Sequence, residues 1–150
     1  MTIFARNFDA FACMGDSITT QAEQGLYFVA TLQPDADSDP HEFDAPGWVF
    51  DTAGDAEHSA AVAVTVAENR RILDAWDRDE WHYCGIVITA WVTTPLADFR
   101  LGDVGSLWGL ELNFPNGESN PNAHLREQAN EMLEEAHTRA LELLTAIRAA

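Results

Sequence analysis

The sequence predicts an α+β fold: an antiparallel sheet of about four strands with two helices on one face, in the order ββαββα. Three observations carry this. Residues 81–92 alternate with substantial apolar character on both faces, as an interior strand does. Residues 125–147 carry apolar side chains at helical spacing over about six turns. The runs 26–32 and 106–112 suit strands and sit among turn formers.

The 150 residues, 47% of them hydrophobic, are enough for one domain with a single core, spanning 1–150. No apolar run approaches the roughly 20 residues of a membrane span, and residues 1–8 lack the layout of a secretory signal. A soluble, cytoplasmic protein is expected. Cys13 and Cys84 both stand in apolar segments and make no disulfide framework, so reduced core thiols are expected.

Taken in order, residues 8–14 are mostly apolar, and Ile18, Thr19 and Thr20 suit a strand edge. A turn at 21–25 leads into the strand 26–32 as the return arm of a hairpin. Residues 34–54 then form a long acidic loop, with Pro34, Pro40, Pro46, Gly47 and Gly54 among six carboxylates. Trp48-Val49-Phe50 interrupts it and is expected to pin it to the body. Val62, Val66, Leu73 and Trp76 give helical steps for a helix over 59–76, with Asp55 or Ser59 as N-cap.

After a polar turn at Asp77, Asp79 and Glu80, alternation places Trp81, Tyr83, Gly85, Val87, Thr89 and Trp91 on one face. Cys84, Ile86, Ile88, Ala90 and Val92 fall on the other, under the helices. Trp81, Tyr83 and Trp91 are expected in the core, with a binding face as the alternative, because large aromatics are mostly buried. Pro95 ends the strand. Residues 98–105 read as a loop with a turn signal at Gly102-Asp103, and Trp108, Leu110 and Leu112 as one face of the returning strand. Asn120 as N-cap and Pro121 in the first turn open the last helix, with a stripe of Leu125, Ala129, Met132, Leu133, Ala136, Ala140, Leu143, Leu144 and Ile147.

Charge is the anomaly. Twenty-five acids face eight bases, a formal net charge of −17, and every base is arginine. Such a field repels nucleic acid and anionic membranes and attracts basic surfaces. No arginine occurs between Arg6 and Arg70, so the net negative charge is concentrated in the first half.

Several patterns invite chemistry. Asp35-x-Asp37-x-Asp39 begins like a calcium loop, but Pro40 and Pro46 stand where that loop needs glycine and a bidentate glutamate. His41, His58, His82, His124 and His137 show no zinc spacing with the cysteines. No phosphate loop, dinucleotide fingerprint or basic stripe occurs. No metal or cofactor is expected. Gly15-Asp16-Ser17-Ile18-Thr19 resembles the nucleophile block of the GDSL (SGNH) hydrolases, with Ser17 after the apolar run 11–14. That resemblance implies a catalytic serine with an Asp-x-x-His near the C-terminus. Asp55-x-x-His58 and Asp79-x-x-His82 match the letters, and neither is C-terminal.

Asp79-Glu80-Trp81-x-Tyr83-x-Gly85-Ile86, then Ser106-Leu107-Trp108-Gly109 and an acidic helix, resembles a group of small acidic phage and prophage proteins over about residues 73–140. The resemblance implies a mobile-element origin and carries no catalytic residue. Joined to the charge, it leads to the expectation of a non-catalytic inhibitor, anti-CRISPR or anti-restriction in kind, that occupies the nucleic-acid-binding surface of a host defence protein. Asp35, Asp37, Asp39, Glu42, Asp44, Asp51 and Glu57 would mimic phosphates against that basic surface. The alternatives are a small hydrolase using Ser17 and an accessory or assembly protein whose acidity is an adaptation to salt.

Overall fold

The computed structural model describes residues 2–43 and 56–150, with side chains for 2–41 and 63–150. Along it run β1 (Ser17–Thr19), β2 (Leu26–Pro34), a 3-10 helix (Pro40–Phe43), α1 (Ala56–Asp77), β3 (His82–Thr93), β4 (Asp98–Leu112), α2 (Ala123–Glu131) and α3 (Leu133–Ala149). The strands make one antiparallel sheet in the order β1-β2-β3-β4. The α+β class and the interior place of β3 agree with the sequence.

The first hairpin closes on two residues. Gln24 and Gly25 both have positive φ, 55° and 79°, and Glu23 and Leu26 exchange both backbone hydrogen bonds at 2.9 and 3.1 Å. A type I′ turn has this pattern, and its twist matches that of the flanking strands.

The second hairpin departs from expectation. Residues 98–105 are the first half of β4 instead of a loop, and the connection lies at 94–97, where the Thr94 hydroxyl accepts the Leu96 and Ala97 amides. Twelve residues of β3 face fifteen of β4, and the three extra residues match three register shifts along the ladder. Each such bulge reverses the alternation of side chains. That is why β4 shows no period of two in the sequence, and why Trp108 leaves the face that Leu110 and Leu112 share.

One face of the sheet carries Leu26, Phe28, Ala30, Leu32, Cys84, Ile86, Ile88, Ala90, Val104 and Leu112 into the core. Leu125 and Ala129 of α2, with Leu133, Ala136 and Ala140 of α3, cover it. Fully burying a leucine or isoleucine contributes about 1.5–3 kcal/mol, so this layer dominates the stability of the sheet. The expected single long helix is two, divided at Met132, whose amide bonds back three residues to Ala129 O at 3.2 Å. Its apolar stripe is buried as far as Ala140, but Leu143 and Ile147 are exposed. The helix starts at Ala123, later than predicted: Asn120 Oδ1 accepts Asn122 N at 2.9 Å in a turn before it, and Asn122 makes no side-chain cap, the amide nitrogens of both asparagines being engaged elsewhere.

They are engaged with the N-terminal segment. Residues 2–16 have no helix or strand, yet Phe4, Phe8 and Ala12 are core residues. Asparagine amides supply the partners that a strand would have given their backbone. Asn130 bonds both the N–H and C=O of Phe4, Asn120 the Phe8 carbonyl, Asn122 the Asp9 and Ala10 carbonyls, and Asn113 the N–H and C=O of Ala12. The apolar run at 11–14 is not buried throughout: Phe11 is 72% exposed, and Cys13 is exposed rather than the expected core thiol.

The other correction concerns α1, whose described side chains, residues 63–77, supply none of the main core cluster. Of the predicted stripe, the Val62 side chain lies outside the described residues and Val66 is exposed, while Leu73 and Trp76 are half-buried, so the stripe packs only in its C-terminal part. Contact comes at the C-terminal end, where Trp76 meets Trp81, His82 and Tyr83 at 4.9, 5.8 and 5.5 Å between centroids. Trp81 is 1% exposed, packs edge-on to Phe114, and donates from Nε1 to Ile72 O at 2.9 Å. Just before it, Asp79 at φ 58° ends the helix, with Asp79 N to Trp76 O and Glu80 N to Ala75 O both at 2.9 Å. This paired bonding around a left-handed residue satisfies the last helical carbonyls and turns the chain into β3.

Candidate binding surface

The second face of the sheet has no helix packed along it among the described residues. It carries Tyr27, Val29 and Thr31 of β2 with Tyr83, Val87, Thr89 and Trp91 of β3, all half-buried. Ser106 and Glu111 of β4 continue it by register, and Trp108 by lying over Gly85. This face holds an aromatic pair at one end and a tryptophan stacked over glycine at the other. At one end Tyr27 and Trp91 lie near-parallel, 6.3 Å apart, and the Tyr27 hydroxyl donates to Asp98 at 2.8 Å. At the other, the bulge at Trp108 and Gly109 lays the Trp108 indole over Gly85. A Cβ at Gly85 would fall 2.2 Å from that ring, so the close approach requires glycine.

The acidic corner after β2 reaches this second end. Asp35 N bonds Tyr83 O at 3.3 Å, and the Asp35 carboxylate accepts Gly109 N at 2.8 Å, Ser38 Oγ at 3.0 Å and Asp37 N at 3.1 Å. Burial raises the Asp35 carboxyl, but the Gly109, Ser38 and Asp37 bonds outweigh it and hold the group below its ordinary range. Asp35 is therefore a strut between the corner and β4, with its oxygens turned inward. Asp37 is exposed, and Asp39, which accepts His41 N at 2.8 Å, stands close enough to Tyr83 to act on its ionisation. Asp44 and Asp51 lie outside the described residues, as do the side chains of Glu42 and Glu57 and the Trp48-Val49-Phe50 run.

Tyr83 is the meeting point. Burial first, then the charges of Glu111 and Asp39, push its hydroxyl up, keeping it protonated. Glu111, its cross-strand partner, is half-buried, and burial raises its carboxyl against the opposing effect of His124. Beside Tyr83, a cavity of about 370 Å³ is lined by Asp35, Ala36, Trp76 and His82 among others.

The hydrolase signature finds no triad among the described residues. Ser17 is the exposed first residue of β1, paired with Thr31, and the Asp16 carboxylate caps the turn by accepting Cys13 N at 2.8 Å. His82 packs against Trp76, and no hydrogen bond joins Ser17 to a histidine. Among the described residues no three His, Cys, Asp or Glu side chains group to hold a metal ion. No helix among them is long and apolar enough to cross a membrane.

The sequence located the aromatic strand and put its aromatic side in the core, with a binding face as the alternative; among the described residues no helix lies along that side, which alternation alone could not decide. Trp108 and Glu111 were missed as members of this surface because the bulges hide their phase. In comparisons with known proteins, no family model, no curated protein and no solved structure matches the chain.

Proposed function

We propose that this chain is a non-catalytic binding protein that engages the basic, nucleic-acid-gripping surface of another protein, in the manner of a mobile-element inhibitor of host defence. The observation that carries this reading is the uncompensated acid. With 25 carboxylates, eight arginines and no lysine, the chain has few cations of its own. Among the described residues four of these pair internally: Arg71 with Glu68, Arg78 with Glu80, Arg100 with Asp103 and Arg139 with Glu135. What remains outward is almost wholly negative.

Such a surface accelerates encounter with a cationic partner and competes with nucleic acid for it. Exposed carboxylates such as Asp37 act as charges in solvent, so their attraction is screened within about 8 Å at physiological salt. The origin in a phage or prophage, and the anti-CRISPR or anti-restriction role, rest on the motif resemblance alone.

The test is binding of the whole chain to a basic nucleic-acid-binding protein, with duplex DNA as competitor, from low to high salt. Binding that weakens steeply with salt, is displaced by DNA and falls on Asp37→Lys with Asp39→Lys is expected. Binding unchanged by both substitutions and by DNA would overturn the reading. Asp35 is not a fit target for reversal, because its loss would also release the corner from β4.

A further inference from the structure

At the Tyr83 end of this sheet face, a half-buried carboxylate stands beside aromatic ring surface; among the described residues the His124 imidazole acts on it electrostatically, and no arginine bonds it. Glu111 is the cross-strand neighbour of Tyr83, and Trp108 lies over Gly85, two residues further along β3. Among the described residues no hydrogen bond or ion pair reaches Glu111. The one arginine that register places on this face, Arg100, is held by Asp103 at 2.6 Å. Trp108 is 49% exposed, and its indole N–H turns aside to Ser106 at 3.3 Å. Ring surface is thus presented near a carboxylate that no arginine among the described residues bonds.

Aromatic faces attract cations, and the guanidinium of arginine stacks on them better than a lysine ammonium while binding carboxylate through a two-pronged fork. A partner cation here would meet Glu111 at the centre and Asp39 at the rim. We infer that the notch formed by Tyr83, Trp108 and Glu111 receives an arginine side chain of the basic protein partner. This rests on the proposed acidic binding role and adds a position and a residue preference to it. Bulk charge attracts the partner, and the notch orients it.

The experiment titrates the whole chain with an oligoarginine peptide and with an oligolysine of equal length, at low salt, following tryptophan fluorescence and calorimetry. Glu111→Gln is expected to weaken oligoarginine binding about tenfold and Trp108→Ala several-fold, since a charge-assisted pair and a cation–π contact are lost respectively. Glu142→Gln, removing an equal charge on α3 at the opposite face of the sheet, should change it by less than about twofold. Glu111→Gln removes a carboxylate that folding disfavours, so the melting temperature should not fall and lost binding cannot be lost folding. Oligolysine binding as tight as oligoarginine, or equal effects of Glu142→Gln and Glu111→Gln, would overturn the notch while leaving the acidic role intact. No binding of either peptide at low salt would overturn both.

Discussion

Asn122 and Asn113 exchange two hydrogen bonds at 2.8 Å: Asn122 Nδ2 donates to Asn113 Oδ1, and Asn113 N donates to Asn122 Oδ1. Asn122 is fully buried and also bonds the Asp9 and Ala10 carbonyls. One amide therefore ties the N-terminal segment, the end of β4 and the start of α2 together. Its four bonds explain how a segment without regular structure remains in the core, since a buried polar group is tolerated when fully satisfied.

Asn122→Ala strands partners on both Asn113 and the N-terminal segment, and should cost about 3 kcal/mol by urea unfolding, several unsatisfied groups at roughly 1 kcal/mol or more each. Asn122→Asp should be worse at neutral pH, because a carboxylate would face carbonyl oxygens. Its folded pKa would lie above the unfolded one, so stability should recover as pH falls below the folded value and be lost as pH rises through it. A substituted protein whose stability does not improve on acidification relative to the parent would refute this account of the site.

Removing the Trp81 ring should uncouple α1 from the sheet. Trp81→Phe forfeits the bond to Ile72 O and is expected to cost about 1–2 kcal/mol; Trp81→Ala, which empties a site bounded by Trp76, Tyr83 and Phe114, about 3–5 kcal/mol. Hydrogen exchange should accelerate in α1 while β2 and β3 stay protected.

The two cysteines should react at very different rates. Burial, with a smaller contribution from Asp35, pushes the Cys84 thiol up to about 12, and its side chain is shut in the core, whereas Cys13 is exposed. Thiolate is the reactive form. One equivalent should label rapidly at pH 8 and the second only on unfolding; two fast equivalents would contradict the packing at Cys84.

Gly85→Ala should expel the Trp108 indole from its seat, since the new methyl would overlap the ring. Half of that ring already faces solvent, so it can swing outward and the cost should be about 1 kcal/mol, at the lower end of overpacking penalties. A red shift in tryptophan emission, absent in Gly85→Ala combined with Trp108→Phe, would show the displacement.

Asp98 contributes to acid sensitivity with a definite sign. Hydrogen bonds from Thr93 and Tyr27 lower its carboxyl in the fold. The stability it adds is therefore present above the ordinary carboxylate pKa and lost as pH falls through the lowered one. Tyr27→Phe should flatten the decline of stability in that acid range, read as melting temperature against pH; an unchanged slope would mean that Asp98 is held by other means.

Local pattern accounts for much of this architecture. The interior strand at 81–92 was legible because burial on both faces leaves apolar residues at both phases, and the apolar stripe from Leu125 to Ala140 because a helix repeats its contacts every three to four residues. β4 was legible only in its second half, since three bulges hide the first. The acidic corner was visible as composition, but the inward role of Asp35 was not, because its partner Gly109 is 74 residues away.

By itself, then, the sequence determined the α+β class, the strand that centres the sheet and the strongly negative charge, all properties of neighbouring residues or of the sum. Tertiary structure alone decided the rest: that α1 meets the sheet through Trp76 and Trp81, that asparagine amides secure residues 2–12, and that Tyr83, Trp108 and Glu111 share one open face. Those relationships join residues far apart in the chain, where register, bulges and side-chain bonds set the distances and no local period records them.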